Sequence, residues 1–428
     1  MYYGDLENTL HEWVQEKRDS VFVIDGPSQV GKTYFIEHFL QYEGLNHIYV
    51  DVKENKDLLE RILDNSSNNA NDFYTALCLE LNKSTFKPVV LLVFDGIEYC
   101  PKLRQFFKTL VSHPKINILA ISCGGLGPLH YKTLLIPSEE NVFHMQPLNF
   151  YDFLVEIGQN TLGEYLKGSI NYKQPLSEYL SNKIYSLFKL YNLVGGYPSA
   201  LSLFNNEGDI DYCIEENKKI FAKQFEHALS LLNDEDKLLL LKIRDNFASL
   251  ITSGKYNCID GISTYKMKQL LSFIEEEHVI NIATALDVQN QSNLSNAKKV
   301  LFSHQCFYHA ICGFNRTNYL DEIDVDYQVV LTDFFFNQRK NNKQLNFALE
   351  RSTRYFVSDA LIVNNTSIYI VEIKNKRLSV ESNKNISLKS DGTFKPGVLL
   401  LNSNKFKFDS VFVLPSYCSC FLNVLFDK

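Results

Sequence analysis

The chain has 428 residues, of which 45% are hydrophobic and 22% charged, and a formal charge of −7. It is long enough for two to four cores. Nine cysteines without any C-x-x-C pair argue for reduced structural thiols in the cytoplasm rather than a disulfide framework. The opening MYYGDLENTLHEW lacks the basic cap and apolar centre of a signal peptide, and no apolar run approaches membrane-spanning length, so neither secretion nor membrane insertion is expected.

In chain order, VFVID reads as a short buried strand, GPSQVGKT as a glycine loop and YFIEHFLQ as a helix. VVLLVFD (89–95) and INILAIS (116–122) read as further buried parallel strands with helical segments between them. This predicts an α/β nucleotide-binding domain. From PLNFYDFL (147–154) the pattern is helical, broken at Gly195, Gly196, Tyr197 and Pro198, which predicts an all-helical lid. STYKMKQLLSFIEEEHVI opens on Ser263 as a helix cap and places Met267, Leu270, Leu271 and Ile274 on one face. With INIATAL, a polar loop (287–299) and KVLFS after it, this predicts a winged helix. Beyond Asp326, a helix (YQVVLTDFFF), two strands (RYFVSDALIV and SIYIVEIK) and later VLLL and SVFVL predict a separate α/β module. The expected units are 1–148, 149–232, 233–318 and 319–428.

Charge is uneven along the chain. From Asp326 onward there are 14 basic and 9 acidic residues, against 29 and 41 before it. Such a basic end suits either a nucleic-acid-facing module or a lysine-rich solvated surface.

Gly26-x-x-x-x-Gly31-Lys32-Thr33 follows a strand and opens a helix, the setting that a phosphate-binding P-loop needs. Its glycines, with Pro27, Ser28, Gln29 and Val30 between them, turn backbone N–H groups onto phosphate oxygens. Lys32 reaches the β and γ phosphates and the Thr33 hydroxyl joins a Mg²⁺ shell. ATP and Mg²⁺ are the expected ligands. Asp95, ending VVLLVFD, is the expected second acid toward Mg²⁺; its other reading is a helix cap. The next position, where many such ATPases carry the carboxylate that orients water, is Gly96. Glu98 either substitutes for it or is a surface glutamate in a loop, so binding is better supported than turnover.

GPSQVGKT, FDGIEYCPKL, ISCGGLG, MQPLNFYDFL and LVGGYPSAL, in that order, resemble a prokaryotic family of AAA-type ATPases with a C-terminal restriction-endonuclease-like domain. The resemblance spans most of the chain. It departs at Ser28 (family Arg), Gly96 (family Glu) and Gly124 (family Ser), which bears on hydrolysis, and it matches at Gly31, Lys32, Thr33 and Asp95. GGYPSAL also looks like the element by which related signalling ATPases set a lid proline on adenine, which would place Pro198 at the base; its plainer role is to bound a helix. The acidic run Glu275, Glu276 and Glu277 at the end of the expected recognition helix would repel phosphate and favours packing or nucleotide sensing over DNA reading.

In the last module, Asp359 stands ahead of Glu372-Ile373-Lys374 in D…E-x-K spacing. Two carboxylates on adjacent strands can hold Mg²⁺ against a scissile phosphate while Lys374 stabilises charge. The resemblance strengthens this reading. The alternatives are an edge hairpin with a cross-strand Glu/Lys pair or an inactive nuclease fold. For an upstream acid, Asp326 stands where the family has Glu, and Glu350 is the other candidate. Only a register in which paired numbers sum to an odd value puts Asp359 and Glu372 on one face. A four-residue NNTS loop pairs Val363 with Ile368 and so sets the two acids opposite each other; a two-residue Asn364-Asn365 turn pairs Asp359 with Ile370 and keeps them diagonal on one face; a three-residue loop would part them, so an even loop is expected. Two functions are expected: an ATP-regulated, metal-dependent nuclease, or an ATP-binding switch or scaffold with weak hydrolysis whose C-terminal fold binds nucleic acid or a protein partner, a second copy included.

Overall fold

The computed structural model describes residues 4–15, 20–66, 69–83, 90–126, 140–252, 259–287, 292–313, 320, 325–340, 345–349, 359–364, 367–374, 394–401, 406–408 and 412–422. The first part of the chain runs α1 (Gly4–Gln15), β1 (Val21–Asp25), α2 (Lys32–Glu43), β2 (His47–Asp51), α3 (Lys56–Asn65), α4 (Ala70–Glu80), β3 (Val90–Asp95), α5 (Pro101–Val111), β4 (Ile116–Ser122) and β5 (Glu140–His144). Its five strands are all parallel, in the order β2-β3-β4-β1-β5. Successive residues of β1 enter opposite cores: Val21 and Val23 pack on one side of the sheet, Phe22 and Ile24 on the other. That double burial explains the unbroken apolar runs of β1, β3 and β4, the three inner strands. The edge strands are less enclosed, β2 with buried residues only at alternate positions and β5 with none buried, and they carry no such run. A buried bidentate pair, Arg104 to Glu140 at 2.8 and 2.6 Å, ties α5 to β5, and the same guanidinium donates to the Leu126 carbonyl.

The expected lid is five helices: α6 (Phe150–Glu156), α7 (Asn160–Tyr172), α8 (Glu178–Val194), α9 (Pro198–Glu207) and α10 (Ile210–Ser230). Asn149 and Asp152 cap α6 reciprocally. Gly196 lies flat against the backbone of Leu148, which it joins through a 2.9 Å hydrogen bond, and a Cβ there would overlap the Leu148 carbonyl.

Next come α11 (Asp234–Asp245), α12 (Phe247–Thr252), α13 (Thr264–Glu276), β6 (Ile280–Asp287), β7 (Ser292–Phe302) and α14 (Cys306–Ile311). Ser263 caps α13 as expected, and Met267, Leu270, Leu271 and Ile274 are its buried face. The polar stretch expected to be a loop is largely strand. Asn293 and Leu294, then Lys298 and Lys299, pair with β6 across a register shift, so ladder hydrogen bonds override a polar composition.

The rest is α15 (Tyr327–Lys340), β8 (Asn346–Leu349), β9 (Ala360–Asn364), β10 (Ser367–Lys374), β11 (Phe394–Leu401), β12 (Lys407–Phe408) and β13 (Phe412–Pro415). These strands do not form a separate sheet. One eight-stranded sheet runs β12-β13-β11-β10-β9-β8-β6-β7, and β6 pairs in parallel with β8 across the boundary expected at 318/319. One hydrophobic core likewise takes in Phe188 and Phe221 of the lid, Leu271 and Phe302, and Val330 and Tyr417. Helix α15 is buried from Val329 to Gln338. Within it, Asp333 accepts from Ser419, and burial pushes its carboxyl up to about 7.

Gly196→Ala is expected to lower the unfolding free energy in urea by about 2–3 kcal/mol, since the overlap is with backbone and cannot be relieved by a rotamer change; unchanged stability would mean that the Leu148 segment yields.

Candidate functional site

The P-loop leaves the C-terminal end of β1 and enters α2. Gly26, Gln29 and Gly31 have φ of 155°, 70° and 95°, and a Cβ at Gly26 would overlap the carbonyl of Met145. These positions turn the loop around its own backbone amides. Lys32 is buried, and its ammonium donates to the carbonyls of Gly26 (2.7 Å) and Pro27 (2.8 Å). The Thr33 hydroxyl donates to Asp95 Oδ2 at 2.7 Å, and the Tyr49 hydroxyl donates to the same oxygen at 2.5 Å. Burial and then that bond raise the tyrosine's pKa and keep it protonated. A hydroxyl and a carboxylate at the head of the P-loop are the hard oxygen donors that Mg²⁺ takes.

Position 96 is glycine for a backbone reason. Its φ is 86°, its N–H bonds the Ile121 carbonyl at 2.9 Å, and a Cβ would meet the Tyr99 ring at 3.2 Å. The chain therefore turns away directly after Asp95, and the next acid, Glu98, is carried inward. Glu98 is 5% exposed; the alternative of a surface glutamate does not hold. Ser122 Oγ donates to its Oε2 (3.2 Å) and the Cys123 N–H to its Oε1 (3.4 Å). Burial pushes its carboxyl up to about 7, against the opposing pull of His227 and Lys32 and with added repulsion from Glu277.

Two later segments close on this centre. From α10, Gln224 donates to the Ser28 carbonyl (3.0 Å) and to the Tyr197 hydroxyl (3.0 Å), and Lys223 donates to Gln29 (3.3 Å). His227 of the same helix sets Nε2 3.5 Å from Glu98 and 3.4 Å from Glu277, with Nδ1 3.0 Å from the Tyr99 hydroxyl. From the end of α13, Glu277 packs on the loop after β4, where a Cβ at Gly124 would come within 2.9 Å of its Cα. The adjacent His278 reaches Asp25, the residue before the P-loop. Asp25 Oδ2 meets His278 Nε2 (3.0 Å) and His144 Nδ1 (3.1 Å), and Oδ1 accepts from the Gly124 N–H (3.2 Å). Burial alone would raise Asp25; the two imidazoles outweigh it and hold the carboxyl far below its usual range. Pro198 is the first residue of α9; it is Tyr197, through Gln224, that reaches the P-loop.

In the C-terminal sheet, Val363 pairs with Ile368 and Ala360 with Val371, the register expected of the NNTS loop, which leads to Asp359 beside Glu372. The ladder ends there: the Asp359 N–H bonds the Val371 carbonyl at 3.2 Å. Asp359 Oδ2 accepts from the Ile373 N–H (2.8 Å) and Oδ1 from the Tyr327 hydroxyl (2.7 Å), while Lys299 of β7 donates to its backbone carbonyl (3.1 Å). Burial lowers the Lys299 pKa against the attraction of Asp359. Asp326 caps α15 by accepting from the Gln328 N–H, so the upstream helix presents Tyr327, not an acid, to Asp359. Lys374 pairs with Leu401 in β10; its side chain, and Glu350 altogether, lie outside the described residues. Among the described residues, no group of three or more His, Cys, Asp or Glu side chains is placed to hold a metal ion.

The family model for an AAA domain matches residues 18–154, the segment that carries the five-stranded sheet, the P-loop and Asp95. This segment is an AAA-type P-loop domain. It makes the chain a nucleotide-binding, ATPase-like protein. No curated protein matches the chain. Among solved structures it is similar to C. elegans PCH-2, at 11% identity over 50% of this chain and 66% of that one (TM-score 0.29). It is also similar to Drosophila ORC bound to DNA, at 17% identity over 73% and 95% (TM-score 0.30). No described helix is long and apolar enough to cross a membrane.

Around the AAA domain, the residues that sequence reading passed over are Tyr49, Ser122, His227 and the Asp25–His278 pair. A charged residue closing an apolar strand marks Asp25, but a lone histidine within the helical string FEHAL carries no signal. Gly96→Glu is expected to lower stability by about 1–2 kcal/mol, the cost of a side chain in the left-handed region, and to leave ATP turnover at or below that of the wild type. A rise in phosphate release would show that the loop accepts the carboxylate.

Proposed function

We propose that the protein is a Mg·ATP-binding switch in which Glu98 carries slow hydrolysis and the lid and α13 respond to the nucleotide. The observation that carries this reading is the burial of Glu98 beside Lys32, where α10 and the end of α13 meet it. P-loop N–H groups and Lys32, released from the Gly26 and Pro27 carbonyls, hold the phosphates. Thr33 and Asp95 would hold Mg²⁺, which would supply positive charge against the phosphate oxygens. Ionised Glu98 orients a water and takes its proton as the water oxygen bonds Pγ and the bond to the β–γ bridging oxygen breaks, giving ADP and phosphate. Pro198 is assigned to the adenine side on the likeness of GGYPSAL. A helical lid over 149–232, a winged helix, a nuclease-like fold that shares its sheet with the preceding hairpin, a protein partner or second copy, and a cytoplasmic setting belong to the same reading.

Lys32→Ala is expected to abolish Mg·ATP binding in calorimetry. Glu98→Gln is expected to keep binding and lower turnover about 10²–10⁴-fold, the usual weight of a general base. Undiminished turnover in Glu98→Gln would remove Glu98 from the mechanism.

One observation favours a second reading, an ATP-regulated metal-dependent nuclease: the register brings Asp359 to Glu372, with Lys299 alongside and Lys374 two residues on. Asp359 and Glu372 would hold Mg²⁺, and Lys374 would stabilise charge on the phosphate. Cleavage of DNA or RNA with Mg²⁺ or Mn²⁺, with and without ATP, is expected to fall at least about 10²-fold in Asp359→Asn and Glu372→Gln; cleavage that survives both would point to a contaminant, and none in the wild type would leave the binding fold alone.

A further inference from the structure

A cavity of about 460 Å³ opens onto Glu98 between the AAA domain, the lid and α13, lined also by Lys56, Tyr99, Ser230 and Lys266. Glu98, in the cavity wall, and Glu277, two buried carboxylates from distant parts of the chain, share the Nε2 of one imidazole. Two like charges so close cannot both stay ionised without a cation between them. The imidazole is itself oriented, since its Nδ1 is paired with the Tyr99 hydroxyl and its ring stands edge-on to the Tyr99 ring.

We propose that His227 is a positioning residue for Glu98, a lid-borne imidazole that aims this carboxylate and, when it carries a proton, favours its ionised form, while α10 lies on the P-loop. Lys223 and Gln224, which bond Gln29 and Ser28, stand four and three residues before His227 and therefore on the same helix face. Any displacement of α10 that frees the P-loop also withdraws the imidazole. Loop cover and base ionisation thus change together. The inference rests on reading Glu98 as the water-orienting carboxylate.

The charged and titratable groups facing Glu98 are Lys32 from α2, Tyr99 beside it, Cys123 after β4, His227 from α10 and Glu277 after α13. Across the cavity lie Lys56 and the Asp236–Lys266 pair, the latter 2.5 Å apart. Burial and Glu277 raise the Glu98 pKa; His227 and Lys32 lower it. Loss of the imidazole leaves Lys32 as the opposing cation, so Glu98 keeps its proton to higher pH and turnover is lost earlier as pH falls.

The test uses the full chain at saturating Mg·ATP. The pH profile of kcat is measured for the wild type, His227→Gln and His227→Lys. In parallel, the infrared carbonyl stretch of the protonated carboxyl, assigned by its loss in Glu98→Gln, is titrated. In His227→Gln, the acid limb and the infrared midpoint are expected to rise by about one unit or more, roughly a tenfold loss of rate on the acid side, with little change in KM. His227→Lys, which restores a cation, returns both to the wild-type position or below. Where His227→Gln does not fold, Tyr99→Phe, which frees the imidazole, gives a smaller rise. An unmoved limb and midpoint, or a rise of the same size in His227→Lys, overturns the proposal. If Glu98→Gln hydrolyses ATP as the wild type does, the reading of Glu98 in catalysis falls, while the infrared titration still decides what His227 does.

Discussion

Four parts of the chain meet on one carboxylate. Asp25 ends β1, an inner strand of the parallel sheet, and is 3% exposed, a position where an unpaired charge would cost several kcal/mol. Its partners come from β5, from the loop after β4 and from the turn after α13. None of these contacts is local, so the P-loop's entry strand is correctly housed only when the later segments are already in place. His278 adopts a left-handed φ of 59° to make its contact, and Arg339 of α15 lies 3.4 Å from its other ring nitrogen. The same guanidinium holds Asn281 Oδ1 at 2.7 Å and the Glu275 carbonyl at 3.1 Å, which fixes the turn from both sides.

What the sequence disclosed and what it hid divide along a physical line. Apolar runs report double burial, so β1, β3 and β4 were legible, while β2 and β5, half-exposed at the edges, were not. Glycine loops and caps act over a few residues, so the P-loop and the Ser263 cap were legible too. The parity of the β9–β10 hairpin could be expected from the pleat and a shared face for the two acids, while the choice between two even registers could not, and the structure takes the one that pairs Val363 with Ile368. The burial of Glu98 could not: it depends on a left-handed turn at Gly96 and on His227 and Glu277, which stand 129 and 179 positions away in the chain. The glycine at position 124, a departure from the resembling family when read as a string, has a packing cause in Glu277, which lies against it. Polar composition misled at 292–299, where strand pairing with β6 decides the conformation.

Helix α15 joins the two candidate sites by rigid geometry. Its first residue, Tyr327, bonds Asp359, and Arg339 in its last turn bonds the His278 that holds Asp25. Fourteen residues span about 21 Å, and the helix is enclosed by core over most of that length. A packed helix moves as a body rather than bending, so a shift at either end is felt at the other. Its buried polar residues are bonded across the core, as where Asn337 donates to the Asp333 carbonyl and to Ser419. Such pairing fixes the rotation of the helix about its axis as well as its depth.

The shared eight-stranded sheet also sets where the polypeptide can be divided. A chain stopped at 318 would keep β6 and β7 but strip β8 from β6, leaving the backbone amides and carbonyls of 284–287 as an open edge beside apolar surface once covered by α15. Unpaired edges of that kind recruit strands from other molecules. A protease nick, a gene fusion or a recombination event placed there yields a sticky fragment rather than a smaller working protein. The sheet itself begins at β6, so the hairpin after α13 is inherited with the C-terminal strands.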